Sequence, residues 1–287
     1  MNIVFTILPL FLIIALGSFL KIVKIADDSW IKALNNYALY LAFPALIFNS
    51  FVTLKTVDHT LFFKNMILLL LISVIMVIAL FKEKKEIRNT YLICVVFGNI
   101  AYLGFPFITS LMINSAETVG IIIASSLIVF FGFIITYLDY SKHRTINIRR
   151  LLKNPLLLAV ASGIIFALLK IQIPEFVSRT ISMLAGSASP TALVALGLFL
   201  VRKIEFDSSF KHAIIISSLK LLVLPAVFYL IDKSWTIAII EAAMPVAVTT
   251  FSLAEEYPMD KKAVLYSIII STIVSVITLP IISSLLL

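Results

Sequence analysis

Along this chain, apolar runs of roughly membrane thickness alternate with short segments rich in lysine and arginine. A membrane-spanning helix needs about 20 predominantly apolar residues. Ten segments meet or approach that length, at 4–22, 33–52, 61–81, 90–112, 118–138, 155–171, 176–201, 210–231, 235–255 and 263–285. Those at 33–52, 176–201 and 235–255 are interrupted by polar residues, prolines or a charge. The pattern predicts an all-α integral membrane protein of ten helices. An even number of spans with short ends puts both termini on one side.

The pattern also repeats. Between Pro9 and Pro44, each residue can be set against the one 146 positions later without a gap. Pro9 then meets Pro155, Gly17 meets Gly163, Lys24 meets Lys170, Ile25 meets Ile171 and Pro44 meets Pro190. Leucine and alanine matches come free in so apolar a chain, so the prolines and the glycine carry the signal. The repeat divides the chain into five spans at 1–138, a basic linker at 139–154 and five spans at 155–287. Two halves with an odd number of spans insert in opposite orientations, and that is the architecture of secondary transporters.

Composition narrows the reading. Hydrophobic residues make up 61% of the chain and charged residues 13%, with a mean hydropathy of +1.12; a soluble domain is roughly half apolar and about a quarter charged. The net charge of +8 lies in loops between apolar runs rather than on one face, which argues against nucleic acid as a partner. One set of loops carries 17 of the basic residues and the opposite set carries five. By the positive-inside rule the first set is cytoplasmic. The expectation is a multi-pass protein of the cell membrane with both termini outside. Residues 3–20 have no basic region before them and no small-residue cleavage site after them, so they read as a retained first span. The single cysteine, Cys94, allows no internal disulfide. No metal-ligand pair at helical spacing and no phosphate-cradling loop is evident. Neither an enzyme nor a resident cofactor is expected.

Chemistry is expected where spans break. Span four contains Gly98, Asn99, Gly104 and Pro106, and span nine contains Pro245, 139 residues after Pro106. A mid-span proline removes one backbone donor and displaces the carbonyl four residues earlier. Lipid cannot satisfy the freed groups. Matched interruptions in two halves point to a transport site. Asn99 is open to three uses: capping a half-helix, binding a carboxylate through its NH₂ group, or bonding a neighbouring helix. Gly98 and Gly104 suit close helix crossing. Two ionisable groups lie inside spans, Lys220 in span eight and Glu241 in span nine; such groups mark function by default. Lys220 could snorkel to an interface, attract an anionic substrate or pair with Glu241. Glu241 could carry a coupling proton or sit exposed at the outer interface.

Four strings, ALYLAFPALIF, GNIAYLGFP, ASPTALVALG and AAMPVAVTTFSLAEEY, occur in that order in spans two, four, seven and nine. In these the chain resembles the auxin efflux carrier family, which includes plant auxin carriers and bacterial malate- and malonate-type permeases. The resemblance implies a ten-helix fold of two inverted five-helix repeats. Spans one, two, six and seven would form a scaffold that also dimerises, and spans three to five and eight to ten would form a moving transport domain. Spans four and nine would cross at Pro106 and Pro245, at the substrate site, with Asn99 facing a substrate carboxylate. Departures from the family pattern are Ile47 where auxin carriers have a serine, Ser125 and Ser126 near the position of a span-five glutamine, and no carboxylate in span three. A small organic anion other than auxin is therefore the expected substrate, moved by alternating access. The competing readings are a sodium-coupled bile-acid-type symporter and an anion channel, and the coupling ion, proton or sodium, is left open.

Overall fold

The computed structural model describes residues 3–52, 59–145, 149 and 152–287. Among these residues the chain is helical, with one isolated β-bridge. Among the described residues, seven helices are long and apolar enough to cross a membrane. They are α1 (Ile3–Ile22), α2 (Asp28–Val52), α3 (His59–Ala79), α6 (Ala116–His143), α8 (Glu175–Leu200), α9 (Ser208–Ile231) and α12 (Lys261–Leu286). The other three expected spans take a different form. Span six is α7 (Pro155–Leu168), whose 14 residues reach only about 21 Å. Span four divides into α4 (Lys85–Val96) and α5 (Ile100–Leu111), and span nine into α10 (Thr236–Ala242) and α11 (Thr249–Glu256). Part of the basic linker, at 146–148, 150 and 151, lies outside the described residues.

Prolines shape several of these helices. Three stretches wind in the wider π form, at Ala38–Ala42, Ile100–Gly104 and Leu219–Val223. Each ends two residues before a proline: Pro44, Pro106 and Pro225. The proline ring collides with the carbonyl one turn back, and unwinding to the π register relieves that collision. A fourth π stretch, Phe130–Ile135 in α6, has no such proline. The equivalence of Pro9 and Pro155 in the repeat does not extend to their roles: Pro9 lies inside α1, whereas Pro155 opens α7 behind the cap Asn154. Asn154 accepts from the amides of Leu156 and Leu157 at 3.0 and 3.1 Å, as N-caps do.

Glycines set the closest helix contacts. A Cβ on Gly17 of α1 would collide with the backbone of Val194 in α8, and one on Gly197 would collide with Ile14. Ser18 adds a hydrogen bond of 2.8 Å to the Gly197 carbonyl. Gly163 of α7 lies so close to Phe51 of α2 that its Cβ would stand 2.8 Å away. Small residues let backbones approach where packing, rather than exclusion from water, holds helices together. Beside these pairs, α3 packs on α6 and α9 packs on α12.

Candidate functional site

The breaks in spans four and nine meet. Between α4 and α5 the backbone leaves the helix at Phe97, and between α10 and α11 it does so after Ala243. Gly98 and Val246 form the antiparallel bridge. The Asn99 amide donates to the Pro245 carbonyl at 2.7 Å, and the Ala247 amide donates to the Phe97 carbonyl at 3.4 Å. Each break thus satisfies part of the other's freed backbone, as a non-aqueous surrounding requires. The expected crossing at the two prolines is corrected: Pro245 meets Asn99, and Pro106 stands at the start of the regular helix that follows the π turn. In that turn Phe105 donates to the residue five back, Ile100. The same register would make residue 106 a donor to Ala101, and proline has no N–H to give.

Two cavities flank the crossing. The larger, of about 540 Å³, is lined by Asn99, Tyr102, Phe43, Phe97, Phe130 and Ala247 among others. Its walls reach Lys153 at the end of the basic linker and Glu256 at the end of α11, so it opens toward the basic side of the molecule. The lining is mainly apolar. Phe43 stacks on Tyr102 at 4.4 Å between ring centroids, nearly parallel. Asn99 is 2% exposed, its Nδ2 has no hydrogen-bond partner, and its side chain does not cap α5. The capping and helix-bonding uses therefore do not account for that NH₂ group, and a buried donor left unpaired costs about 1–3 kcal/mol.

The smaller cavity, of about 20 Å³, has room for one water. It is lined by Asn65, Gly98, Ser126, Lys220 and Glu241, with Phe97 and Phe130. Phe97, Gly98, Ile100 and Phe130 line both cavities, and the two rings stack at 3.7 Å, so these residues form the partition between the two. Lys220 is buried and its Nζ donates to the Ala242 carbonyl at 2.9 Å. Glu241 is 2% exposed and neither carboxyl oxygen has a hydrogen-bond partner. The two glycines of span four make room for these groups. A Cβ on Gly98 would stand 2.8 Å from the Lys220 Nζ, and one on Gly104 would collide with the Glu241 carboxyl group.

The site residues expected from sequence divide accordingly. Asn99 and Gly98 line the larger cavity. Lys220, placed there by the charge argument, lines the smaller one instead, because α9 approaches the crossing from behind the Phe97–Phe130 partition. Snorkelling and surface exposure are excluded for Lys220 and Glu241 by their burial. Ser126 lines the smaller cavity, while Ser125 is fully buried and accepts from Asn65 Nδ2 at 2.7 Å. Gly104, Pro106 and Pro245 shape the crossing without lining the larger cavity. Asn65, Tyr102 and the two phenylalanines were not singled out from sequence. A lone amide in the apolar run of span three was the signal for Asn65; aromatic residues among 22 phenylalanines give none.

Crossed helix breaks, an ionisable pair behind them and a large cavity before them define a multi-pass membrane protein of the transporter class. The family described as Membrane transport protein matches residues 2–145 and 141–283, and the chain belongs to that family, the auxin efflux carriers. It is 26% identical to an uncharacterized transporter of Methanocaldococcus jannaschii over 95% of each chain. It is 26% identical to a putative malonate transporter of Rhizobium meliloti, over 85% of this chain and 83% of that one. Auxin efflux carrier component 8 of Arabidopsis thaliana is 30% identical over 45% of this chain and 39% of its own length.

Proposed function

We propose that the protein is a secondary carrier that moves a small organic carboxylate across the cytoplasmic membrane by alternating access. The observation that carries this reading is the unpaired Asn99 side-chain amide, buried in the wall of a cavity whose volume is typical of ligand sites. An NH₂ group there can donate to a carboxylate that enters, and the aromatic walls suit an apolar body behind it. Lys153 near the mouth favours the approach of an anion. The putative malonate transporter among the relatives supports the carboxylate class.

The ten-span, inverted-repeat arrangement belongs to the same proposal. Seven long helices, the short α7 and the two broken spans make ten crossings. Reciprocal packing supports the inversion: Gly17 in span one is pressed against span seven, and its repeat partner Gly163 in span six is pressed against span two. The excess of basic residues puts the cavity mouth in the cytoplasm, so this conformation is inward-open and its stacked aromatic pairs close the deep end. That closure supports a carrier over a continuous channel.

The test is thermal unfolding of purified protein with a panel of mono- and dicarboxylates, malonate included. A ligand that binds the native state raises its apparent stability. At least one carboxylate stabilises the wild type, and Asn99→Ala loses that response while remaining folded. Equal stabilisation of both proteins removes Asn99 from the site.

A further inference from the structure

The smaller cavity has no place in substrate recognition, yet it contains the two ionisable side chains most deeply buried near the crossing. Its geometry is that of an incomplete ion pair. Lys220 has three N–H donors and gives one to the Ala242 carbonyl. Glu241 lines the same space, and its carboxyl group packs against Gly104 with both oxygens unpartnered. A charged carboxylate has about four lone-pair positions to satisfy, and none is met here. A carboxylic acid that carries its proton lacks that demand, and a dry surrounding favours the uncharged form. Titratable groups on the packed elements are few. Span three contributes Asn65 and span five Ser126, neither of which titrates in this range. Span four contributes Gly98, Gly104 and the buried Tyr102 phenol, and α12 contributes hydroxyls such as Ser271. Lys220 is the titratable partner that lines the chamber with Glu241.

We propose that this chamber is a proton-binding site that couples the carrier, with Glu241 holding the proton and Lys220 displacing it. The inference rests on the carrier reading above. In the inward-open state the Glu241 carboxyl holds the proton, and the Lys220 ammonium, whose charge the same dry surrounding also disfavours, is held by the Ala242 carbonyl. To release the proton, the O–H bond of Glu241 breaks and the proton passes to the water the chamber can hold. From there it leaves on water into the larger cavity when the Phe97–Phe130 partition opens. The carboxylate left behind takes the ammonium of Lys220 as its counter-charge, so the chamber gains no unpaired ion. Gly98 and Gly104 are required because the two head groups occupy the space of their missing side chains. A structural ion pair would not leave both oxygens of the acid empty.

The test reads the proton itself and needs no substrate. Infrared difference spectra of purified protein in nanodiscs, taken across a pH series, report the C=O stretch of a buried protonated carboxyl. Wild type shows such a band, and it disappears as pH rises. Glu241→Gln lacks it, and Glu241→Asp shows it at a shifted frequency, which separates loss of the acid from loss of the fold. In Lys220→Gln the band survives to a proton concentration about tenfold lower, because the displacing ammonium is gone. Identical spectra for wild type and Glu241→Gln overturn the proposal. So does a band in Lys220→Gln that titrates as in wild type. Stabilisation of wild type but not Glu241→Gln by sodium over choline also overturns it, and makes the chamber an alkali-cation site. None of these outcomes depends on whether a carboxylate binds at Asn99.

Discussion

The two cavities at the helix crossing share a wall and differ in almost everything else. The larger has room for a ligand and one unpaired amide; the smaller has room for a water and contains both a lysine and a glutamate. The larger cavity has Lys153 and Glu256 at its mouth, whereas the ionisable groups buried at the crossing, Lys220 and Glu241, lie on the far side of the wall. In the proposed reading, substrate and proton would sit on opposite sides of a wall that includes two stacked rings, and a movement of that wall would couple them. An intramembrane charge found in sequence is thus not automatically a substrate ligand, even when it lies one helix from the cavity proposed to hold the substrate.

The comparison breaks most severely at the glycines. Gly104→Val pushes a side chain into the place of the Glu241 carboxyl group, with overpacking and displacement of a buried polar group combined. A loss of about 3 kcal/mol or more in stability is expected, visible as a large fall in Tm or as failure to accumulate. Gly186→Ala is the control, since a Cβ there meets nothing within 4 Å. It leaves stability unchanged or raises it by up to about 1 kcal/mol through helix propensity. Asn99→Ala comes next: it weakens carboxylate binding by about 1–3 kcal/mol, roughly fivefold to 150-fold, with little change in Tm. Calorimetric titration of the responsive carboxylate measures it. Phe130→Leu sharpens the picture of the wall. Losing the 3.7 Å stack costs about 0.5–1.5 kcal/mol beyond the lost area and lets thiol reagents reach a Ser126→Cys variant that is otherwise shielded.

The smallest effect is expected on the basic side, away from both cavities. Lys262 bonds Glu205 and Asp207 at 2.6 and 3.1 Å, and its hydrogen bond holds the Glu205 carboxyl below the ordinary carboxylate range. A lowered carboxyl favours the fold above its unfolded-state value and loses that contribution as pH falls through the lowered one. The pair is exposed to solvent, so Lys262→Ala changes Tm little at neutral pH, and the difference from wild type vanishes in acid.

Hydrophobic runs identified the long helices because burial in lipid acts on whole segments. Spans four and nine were legible through Gly98, Asn99 and Pro245, whose chemistry disfavours a continuous helix. The point of crossing was not legible. Pro106 and Pro245 look equivalent in sequence, but a π turn absorbs the first while the backbone opens fully at the second, and only the packing of one break against the other decides that. Lys220 was legible as an ionisable group inside a span, but its burial and its side of the Phe97–Phe130 wall depend on the path of α9. The two glycines were assigned to helix crossing; each also clears space for an ionisable head group on another span, a relation that no local pattern carries. Asn65 gives only a weak signal as a lone amide, because a single polar residue in an apolar span is commonly bonded to a neighbour, as it is here to Ser125.

Thiol accessibility on a background of Cys94→Ser tests the two-cavity account most directly. Ser252 is exposed on the wall of the larger cavity and Ser126 lines the smaller one. The account predicts that a membrane-impermeant thiol reagent applied from the cytoplasmic side modifies Ser252→Cys. A binding carboxylate slows that reaction, and Ser126→Cys stays unmodified under the same conditions. Modification of Ser252→Cys only from the outer side, or a Ser126→Cys variant that reacts as fast and is protected by the same carboxylate, contradicts it.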